Sequence, residues 1–362
     1  MARRLGTLPQ DATRWVNRSP LPCRGGQAGN RENHALLPNS QSRSQEARSQ
    51  DRPLTPQGGQ QAFTSTPPGY RSGFVALIGR PNVGKSTLLN QLVGHKVAIT
   101  SPVAQTTRNR LRGILTRATA QLVLLDTPGI HKPHHLLGEH LVKVARSTIG
   151  EVDVVLLLMD GSTPPGQGDA YITQLLRHCA APLVVGLNKQ DLVPPRRAAQ
   201  LQRSYRSLVG GCPFFGFSAL HGAGCEQLVE GLSQRLPEGP HLYPPHAVSD
   251  QPERLLLAEQ IREQVLHLTR EEVPHSVAVR IDDIREERHC TRVTAVVLVE
   301  RSSQKGILIG KGGAMLKAIG TAARLQMQTL IAGPVHLELF VKVSPHWRRH
   351  PGRLAELGYG NG

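Results

Sequence analysis

A chain of 362 residues, 39% of them hydrophobic, can bury the cores of two ordinary domains, which excludes a single small fold. Its 43 Lys and Arg against 27 Asp and Glu leave a formal charge of +16, which favours a polyanionic partner without choosing among nucleic acid, nucleotide and membrane surface. Apolar runs such as Val154–Met159 are far shorter than the roughly 20 residues a bilayer span needs, so the chain reads as soluble or peripheral.

The charge is spread rather than concentrated. Residues 1–72 hold 10 Arg and 4 acids, residues 73–250 hold 17 basic and 11 acidic side chains, and residues 251–362 hold 16 and 12. The five cysteines (Cys23, Cys179, Cys212, Cys225, Cys290) are scattered, form no CxxC pair and no Cys/His metal spacing, and read as reduced thiols of a cytosol-like compartment.

In chain order, residues 1–72 come first. They are rich in Arg, Gln, Ser, Gly and Pro and show no sustained period of 2 or 3.6, so they cannot bury enough apolar surface to offset their ordering entropy. A disordered basic extension is expected. It reads first as a solvated tail, next as the product of a start codon placed too far upstream, and last as an Arg-rich, acid-poor organellar transit peptide. From Phe74 the pattern becomes short apolar runs at 74–78, 121–126, 152–160, 182–188 and 213–219, separated by amphipathic stretches. That alternation predicts an α/β domain over 73–236 with buried, mostly parallel strands and crossover helices. A helix over Leu228–Leu236 closes it. Pro237–Pro252 holds five prolines, which prevent regular structure and mark a linker.

The segment 253–362 predicts an α+β domain. A helix over Glu253–Glu272 carries Leu256, Ile261, Val265 and Leu268 near helical spacing. Alternating strands follow at Ser276–Ile284 and Arg292–Glu300, then a Gly-rich turn, a helical stretch to about Leu330 and a last strand at Val335–Val343. The order is α-β-β-α-α-β if the region around the turn holds two short helices.

Three motifs carry chemistry. Gly79–Thr87 (Gly79, Arg80, Pro81, Asn82, Val83, Gly84, Lys85, Ser86, Thr87) fits G-x-x-x-x-G-K-[ST] after a predicted strand and at a helix start, where backbone N–H groups and the helix N-terminus favour phosphate. Lys85 is expected on the β/γ-phosphates and the Ser86 hydroxyl on Mg²⁺. Asp126, Thr127, Pro128 and Gly129 end the strand Gln121–Asp126, where Asp126 can hold Mg²⁺ through water and the Gly129 amide can meet a γ-phosphate. Asn188, Lys189, Gln190 and Asp191 follow the strand Pro182–Asn188. Asp191 can accept from guanine N1–H and the exocyclic amine, whereas adenine offers an acceptor at N1. A buried carboxylate left unpaired is costly, so that contact selects GTP over ATP. Asn188 and Lys189 would brace loops and pack on the base, and Phe217, Ser218 and Ala219 would offer a backbone contact to the base oxygen. Between the first two motifs, Gln105–Arg110 is placed as a switch loop whose Thr107 hydroxyl, or alternatively that of Thr106, joins Mg²⁺ when γ-phosphate is present.

The runs Gly79–Gly94, Pro102–Arg110, Asp126–Pro133 and Asn188–Asp191 together resemble the translation-factor-like GTPases of the Era type, and the resemblance spans nearly all of Gly73–Tyr359. It implies a P-loop GTPase domain followed by a KH type II domain, an enzyme that converts GTP to GDP and phosphate with Mg²⁺. Lys85, Thr107, Gly129 and Asn82 stand as the catalytic candidates, and Ser86, Thr107 and Asp126 as the metal ligands. Ile130 follows the second motif where a glutamine would orient the attacking water in many small GTPases, and an apolar side chain cannot do that. The family suggests instead a monovalent cation such as K⁺, held by Asn82 and switch-loop backbone; Asn82 reads equally as a residue that only shapes the loop. His131, His134 and His135 are assigned no catalysis.

Gly310, Lys311, Gly312 and Gly313 form a GxxG turn between apolar stretches, with Lys317 one turn on. In a KH domain such a turn clamps the sugar-phosphate backbone of about four unpaired nucleotides. Alone it reads as a turn in a non-binding module, and the following Val335–Trp347 strengthens the KH resemblance. The resemblance implies single-stranded 16S ribosomal RNA near its 3′ end as ligand, a role in assembly of the small (30S) subunit, and peripheral contact with the cytoplasmic membrane as a secondary trait. No DNA partner is expected. An RNA chaperone with structural nucleotide is the rival from another class. GTPases of tRNA modification or large-subunit assembly carry different accessory domains.

Overall fold

The structure is a computed structural model that describes residues 66–103, 106–130, 136–331, 333–357 and 359. The expectations for residues 1–65, Gln105, His131, His134 and His135 lie outside the described residues.

Strand β1 (Arg71–Gly79) runs into the phosphate-loop motif and helix α1 (Lys85–Val93). Strands β2 (Leu111–Thr116) and β3 (Ala120–Asp126) form a hairpin, followed by helix α2 (Leu136–Ile149). Then β4 (Val154–Asp160), α3 (Gln167–Leu176), β5 (Leu183–Asn188), α4 (Pro195–Val209), β6 (Phe214–Gly216) and α5 (Cys225–Ser233) alternate. The sheet order is β2-β3-β1-β4-β5-β6, parallel except for β2 against β3. Val75 and Leu77 of β1 pack with α1 and α5 on one face. Ala76 and Ile78 pack on the other with Ala145 of α2, Ile172 of α3 and Tyr205 of α4. Burial on both faces is why these strands are continuous apolar runs.

The sheet has one strand more than the apolar runs predict. β2 is an antiparallel edge strand whose polar Arg112 and Thr116 and central Gly113 hide it from a pattern search. Glycine is required there, since a Cβ at 113 would stand 2.5 Å from Leu89 Cδ1 of α1.

The proline-rich segment 237–252 has no helix or strand, yet it is strapped to the first domain. Ser72 N–H donates to Pro237 O at 3.1 Å and Ile114 N–H to Val248 O at 3.0 Å. Gln121, fully buried in β3, donates to Tyr243 O at 2.9 Å and accepts from the amides of Leu242 and Tyr243 at 2.7 and 2.9 Å. One buried amide thus satisfies backbone groups that prolines leave without sheet partners. Arg112 and Asp250 add an ion pair at 2.5 Å.

The C-terminal unit runs α6 (Glu253–Leu268), α7 (Val273–Ser276), β7 (Ala278–Glu286), β8 (Thr291–Val299), α8 (Ser302–Ile309), α9 (Ala314–Met327), β9 (Val335–Val343) and α10 (Pro351–Glu356). Its sheet order is β7-β8-β9, with β7–β8 antiparallel and β8–β9 parallel. The α-β-β-α-α-β order is present, with α7 and α10 added. Ser276, expected to open a strand, instead closes α7. Helices α6, α8 and α9 bury one sheet face through Ile261, Val265, Leu308, Ile319 and Ala323. The other face, at Ala278, Val296 and Leu298, is covered by Trp347, Leu354 and Tyr359. Among the described residues no helix is long and apolar enough to cross a membrane.

Candidate nucleotide and RNA sites

The phosphate loop bends because two residues take left-handed backbone. Asn82 has φ 62° and Gly84 has φ 100° as it opens α1. Asparagine tolerates that conformation and glycine adopts it without cost. A Cβ at Gly84 would also meet Asn188 Nδ2 at 2.2 Å. Lys85 is buried, and its ammonium donates to the carbonyls of Gly79 (3.3 Å) and Arg80 (3.0 Å), curled over the loop where phosphates would sit. Burial pulls its pKa down to about 8 despite the nearby Asp126.

Three oxygens converge beside it. Ser86 Oγ donates to Asp126 Oδ2 at 2.6 Å, Thr107 Oγ1 donates to the same oxygen at 3.0 Å, and the two hydroxyls lie 2.9 Å apart. Burial raises the Asp126 pKa, and Asp126 Oδ1 is buried without a hydrogen-bond partner. An oxygen-only set with an orphaned carboxylate oxygen suits a hard divalent cation such as Mg²⁺. Thr106 points its hydroxyl elsewhere, to Val103 O at 2.6 Å, so of the two candidate threonines it is Thr107 that stands with Ser86 and Asp126. A cavity of about 310 Å³ is lined by Pro81, Asn82, Gly84 to Thr87, Thr107, Gly129 and Lys189. Gly129 sits against the phosphate loop so closely that a Cβ would lie 2.7 Å from Pro81 N.

Some expected site residues contribute backbone or scaffold instead. The Arg80 side chain turns to the buried Asp169 of α3 at 2.8 Å, away from the cavity. Val83 and Ile130 bury their side chains in the two cores, with Ile130 N–H donating to Gly79 O at 3.1 Å. Thr127 Oγ1 donates to Leu77 O at 2.8 Å, and Pro128 is buried beside it. Asn82 Nδ2 donates to Pro102 O at 2.7 Å, tying the phosphate loop to the switch segment.

At the end of β5, Asn188 donates to Val83 O and accepts from Ala219 N–H, both at 2.8 Å, so it clips three loops together. The amides expected to reach a base oxygen are engaged internally: Phe217 N–H donates to Leu187 O, Ser218 N–H to Ala223 O and Ala219 N–H to Asn188. A base oxygen at Ala219 would share the N–H that Asn188 Oδ1 already engages. Gln190 N–H donates to Phe217 O. Lys189 pairs with Asp160 at 2.6 Å, a partner at the end of β4 that no motif marks. Burial works against the Asp160 carboxylate, but Lys189 and Ser162 hold its pKa below the usual range. The Asp191 side chain is one-fifth exposed, with His221 Nε2 at 4.0 Å.

In the C-terminal unit, Gly310 (φ 72°), Gly312 (φ 59°) and Gly313 (φ 81°) turn the chain between α8 and α9. A Cβ at Gly310 would strike Met315 N at 2.9 Å, whereas Gly312 faces open space. Lys311 and Lys317 are exposed, as is Ile307 just before the turn.

Fold and site define a guanine-nucleotide switch of the P-loop class joined to a KH module. Residues 74–189 match the family model described as 50S ribosome-binding GTPase, and residues 272–348 match that of the KH domain. The chain is 58% identical over 311 residues to GTPase Era of Nostoc sp., covering 85% of this chain and 96% of that protein. It is 47% identical to GTPase Era of Carboxydothermus hydrogenoformans, covering 80% and 98%. The chain belongs to the GTPase Era family, whose members are GTP hydrolases. Among solved structures, a point variant of Aquifex aeolicus Era bound to GDP.AlF4- aligns with TM-score 0.78 at 39% identity over 80% of this chain and all of that one. Era in complex with MgGDPNP and nucleotides 1506–1542 of 16S ribosomal RNA aligns with TM-score 0.78 at 39% identity, over 81% of this chain and 100% of that one.

Proposed function

We propose that this chain is a GTP-hydrolysing switch that binds 16S ribosomal RNA near its 3′ end through the KH turn and assists assembly of the small ribosomal subunit. The observation that carries the reading is the match, over 81% of this chain and 100% of the other, to an Era structure holding both a magnesium-bound GTP analogue and that RNA. Ser86, Thr107 and Asp126 would hold Mg²⁺, which supplies charge neutralisation between the phosphates. Lys85 would meet the β/γ-phosphates, the Gly129 amide the γ-phosphate, and Asp191 the guanine edge. Gly310–Gly313 with Lys311 and Lys317 would clamp the RNA backbone. The compartment in this reading is the cytoplasm, with peripheral contact at the inner face of the membrane; import into an organelle through residues 1–72 is the alternative.

Single-turnover hydrolysis with and without a small-subunit RNA fragment tests the proposal. GTP should be cleaved in both, at a rate the RNA changes. Negligible turnover in both conditions would favour an RNA chaperone with structural nucleotide.

Buried Ile130 cannot orient the attacking water, so another group must do so. The Asn82 side chain, beside the switch-loop carbonyl of Pro102, is where a monovalent cation would find protein oxygens once the amide turns its oxygen inward. Hydrolysis is then expected to run faster in K⁺ than in Na⁺ at equal ionic strength, with the preference lost in Asn82→Ala while nucleotide binding survives. Equal rates for the parent in both salts would remove the cation.

A further inference from the structure

The switch segment is built into the KH unit, and the contacts fall on both sides of Thr107. Upstream, Ile99 and Val103 join the KH core. Glu263 of α6 accepts from Thr100 N–H at 2.8 Å and from Lys96 at 2.5 Å, and His267 lies 2.9 Å from Thr100 O. Arg262, fixed by Glu259 at 2.8 Å, donates to Thr106 O. These residues explain an otherwise odd helix: α6 buries Glu259, Gln260, Arg262, Glu263 and Gln264 as well as its apolar positions. It has no solvated face because its polar side meets the switch.

Downstream, Arg108 is 2% exposed and its guanidinium enters a cage made by the KH unit. It donates to Val277 O at 2.6 Å and to Pro274 O and His275 O at 3.5 Å, and lies 5.7 Å from the Trp347 ring centre and 5.9 Å from that of Tyr359. A helix leaves its last four carbonyls without partners. In α7 these are taken by Arg108, by Arg348 (on His275 O at 3.3 Å) and by Trp347 Nε1 (on Ser276 O at 2.9 Å). Arg108 therefore caps a helix of the other domain, with two aromatic faces adding cation–π attraction. Burial and the Arg262 charge oppose its cationic form, while Tyr359 and Glu259 favour it.

We infer that Arg108 is a positioning residue for the GTP-bound state: the KH unit, through the α7 carbonyls, Trp347 and Tyr359, holds Arg108 and so holds the adjacent Thr107 hydroxyl at the metal site. Thr107 is strung between two anchors in the second domain, Thr106 O on Arg262 and Arg108 in its cage. On the reading that the Thr107 hydroxyl joins the metal only when γ-phosphate is present, docking of the KH unit favours GTP over GDP. By linkage, bound GTP favours the docked arrangement to the same degree. The inference rests on the reading of Thr107 as the switch hydroxyl.

The test is affinity of the full chain for a non-hydrolysable GTP analogue and for GDP, both with Mg²⁺, in Arg108→Ala, Arg108→Lys, Tyr359→Phe and Thr107→Ala. Arg108→Ala should lose at least tenfold in analogue affinity and less than twofold for GDP. Arg108→Lys, which keeps charge but not the planar fork, should recover part of the loss. Tyr359→Phe should lose about threefold, non-additively with Arg108→Ala. In a Thr107→Ala background Arg108→Ala should have no further effect. A tenfold additional loss there, or equal losses for GDP and the analogue in variants that melt like the parent, would overturn the coupling. A parent that shows no preference for the analogue, or Thr107→Ala without effect, would instead overturn the reading of Thr107.

Discussion

Asp191→Asn is expected to lower GTP affinity at least a hundredfold, about 2.7 kcal/mol, and to raise affinity for xanthosine triphosphate in return. The carboxylate sits in a short turn, Gln190–Leu192, fixed on one side by the Lys189–Asp160 pair and on the other by the Gln190 N–H bond to Phe217 O. A mobile residue could turn away from a mismatched base; this one is held at its neighbours. Its partly exposed side chain costs little while the pocket is open, and guanine would cover it while supplying two donors. Asparagine offers one acceptor and an amide N–H that opposes the guanine amine, whereas xanthine presents a carbonyl at that position. Competition binding of both nucleotides checks this. Unchanged affinity and selectivity in the variant would take Asp191 out of base recognition.

Strands β1, β3, β4 and β5 were legible as apolar runs because each is buried on both faces, and the phosphate-loop motif and Asp126–Gly129 follow from the ends of β1 and β3. Edge strand β2 was not, since Arg112, Gly113 and Thr116 interrupt its apolar residues and its register is set by β3 across the hairpin. The same limit hid α7 and α10, too short at four and six residues to show a period. Within the site, Lys85, Ser86, Asp126 and Asn188 belong to recognisable motifs, so spacing alone located them even though Ser86, Asp126 and Asn188 find their partners in other loops. Asp160, Glu263 and Arg262 act through partners 29 to 167 residues away, which no local pattern encodes. Arg108 shows the difference sharply: next to Thr107 it reads as one more basic loop residue, and only the tertiary fold reveals it as the cap of α7. The bond from the Ala219 amide to Asn188 Oδ1, 31 residues away, is likewise visible only in the fold.

Charge reversal in the GxxG turn should separate RNA binding from nucleotide chemistry. Lys311→Asp with Gly312→Asp leaves Gly310, where a Cβ would collide with Met315, and Gly313, which opens α9. Lys311 is exposed, and Gly312 faces open space, so neither new side chain meets the core. The cost at 312 is the left-handed backbone at φ 59°, about 1–2 kcal/mol and smallest for Asp and Asn. Lys311→Asp alone avoids even that and serves as the unstrained control. Two carboxylates facing phosphate replace one attraction by repulsion, so affinity for a small-subunit RNA fragment should fall at least tenfold, or about 1.4 kcal/mol. The fall should be steeper at low salt, where phosphate contacts are strongest. GTP affinity and unstimulated hydrolysis should persist, because the turn belongs to α8 and α9 whereas α6 and α7 hold the switch segment. Any stimulation of hydrolysis by RNA should disappear. A melting curve matched to the parent shows that the second domain still folds. If such a folded variant binds the fragment as tightly as the parent does, clamping by Gly310–Gly313 is wrong, and the ten arginines of residues 1–72 become the better candidate for RNA contact.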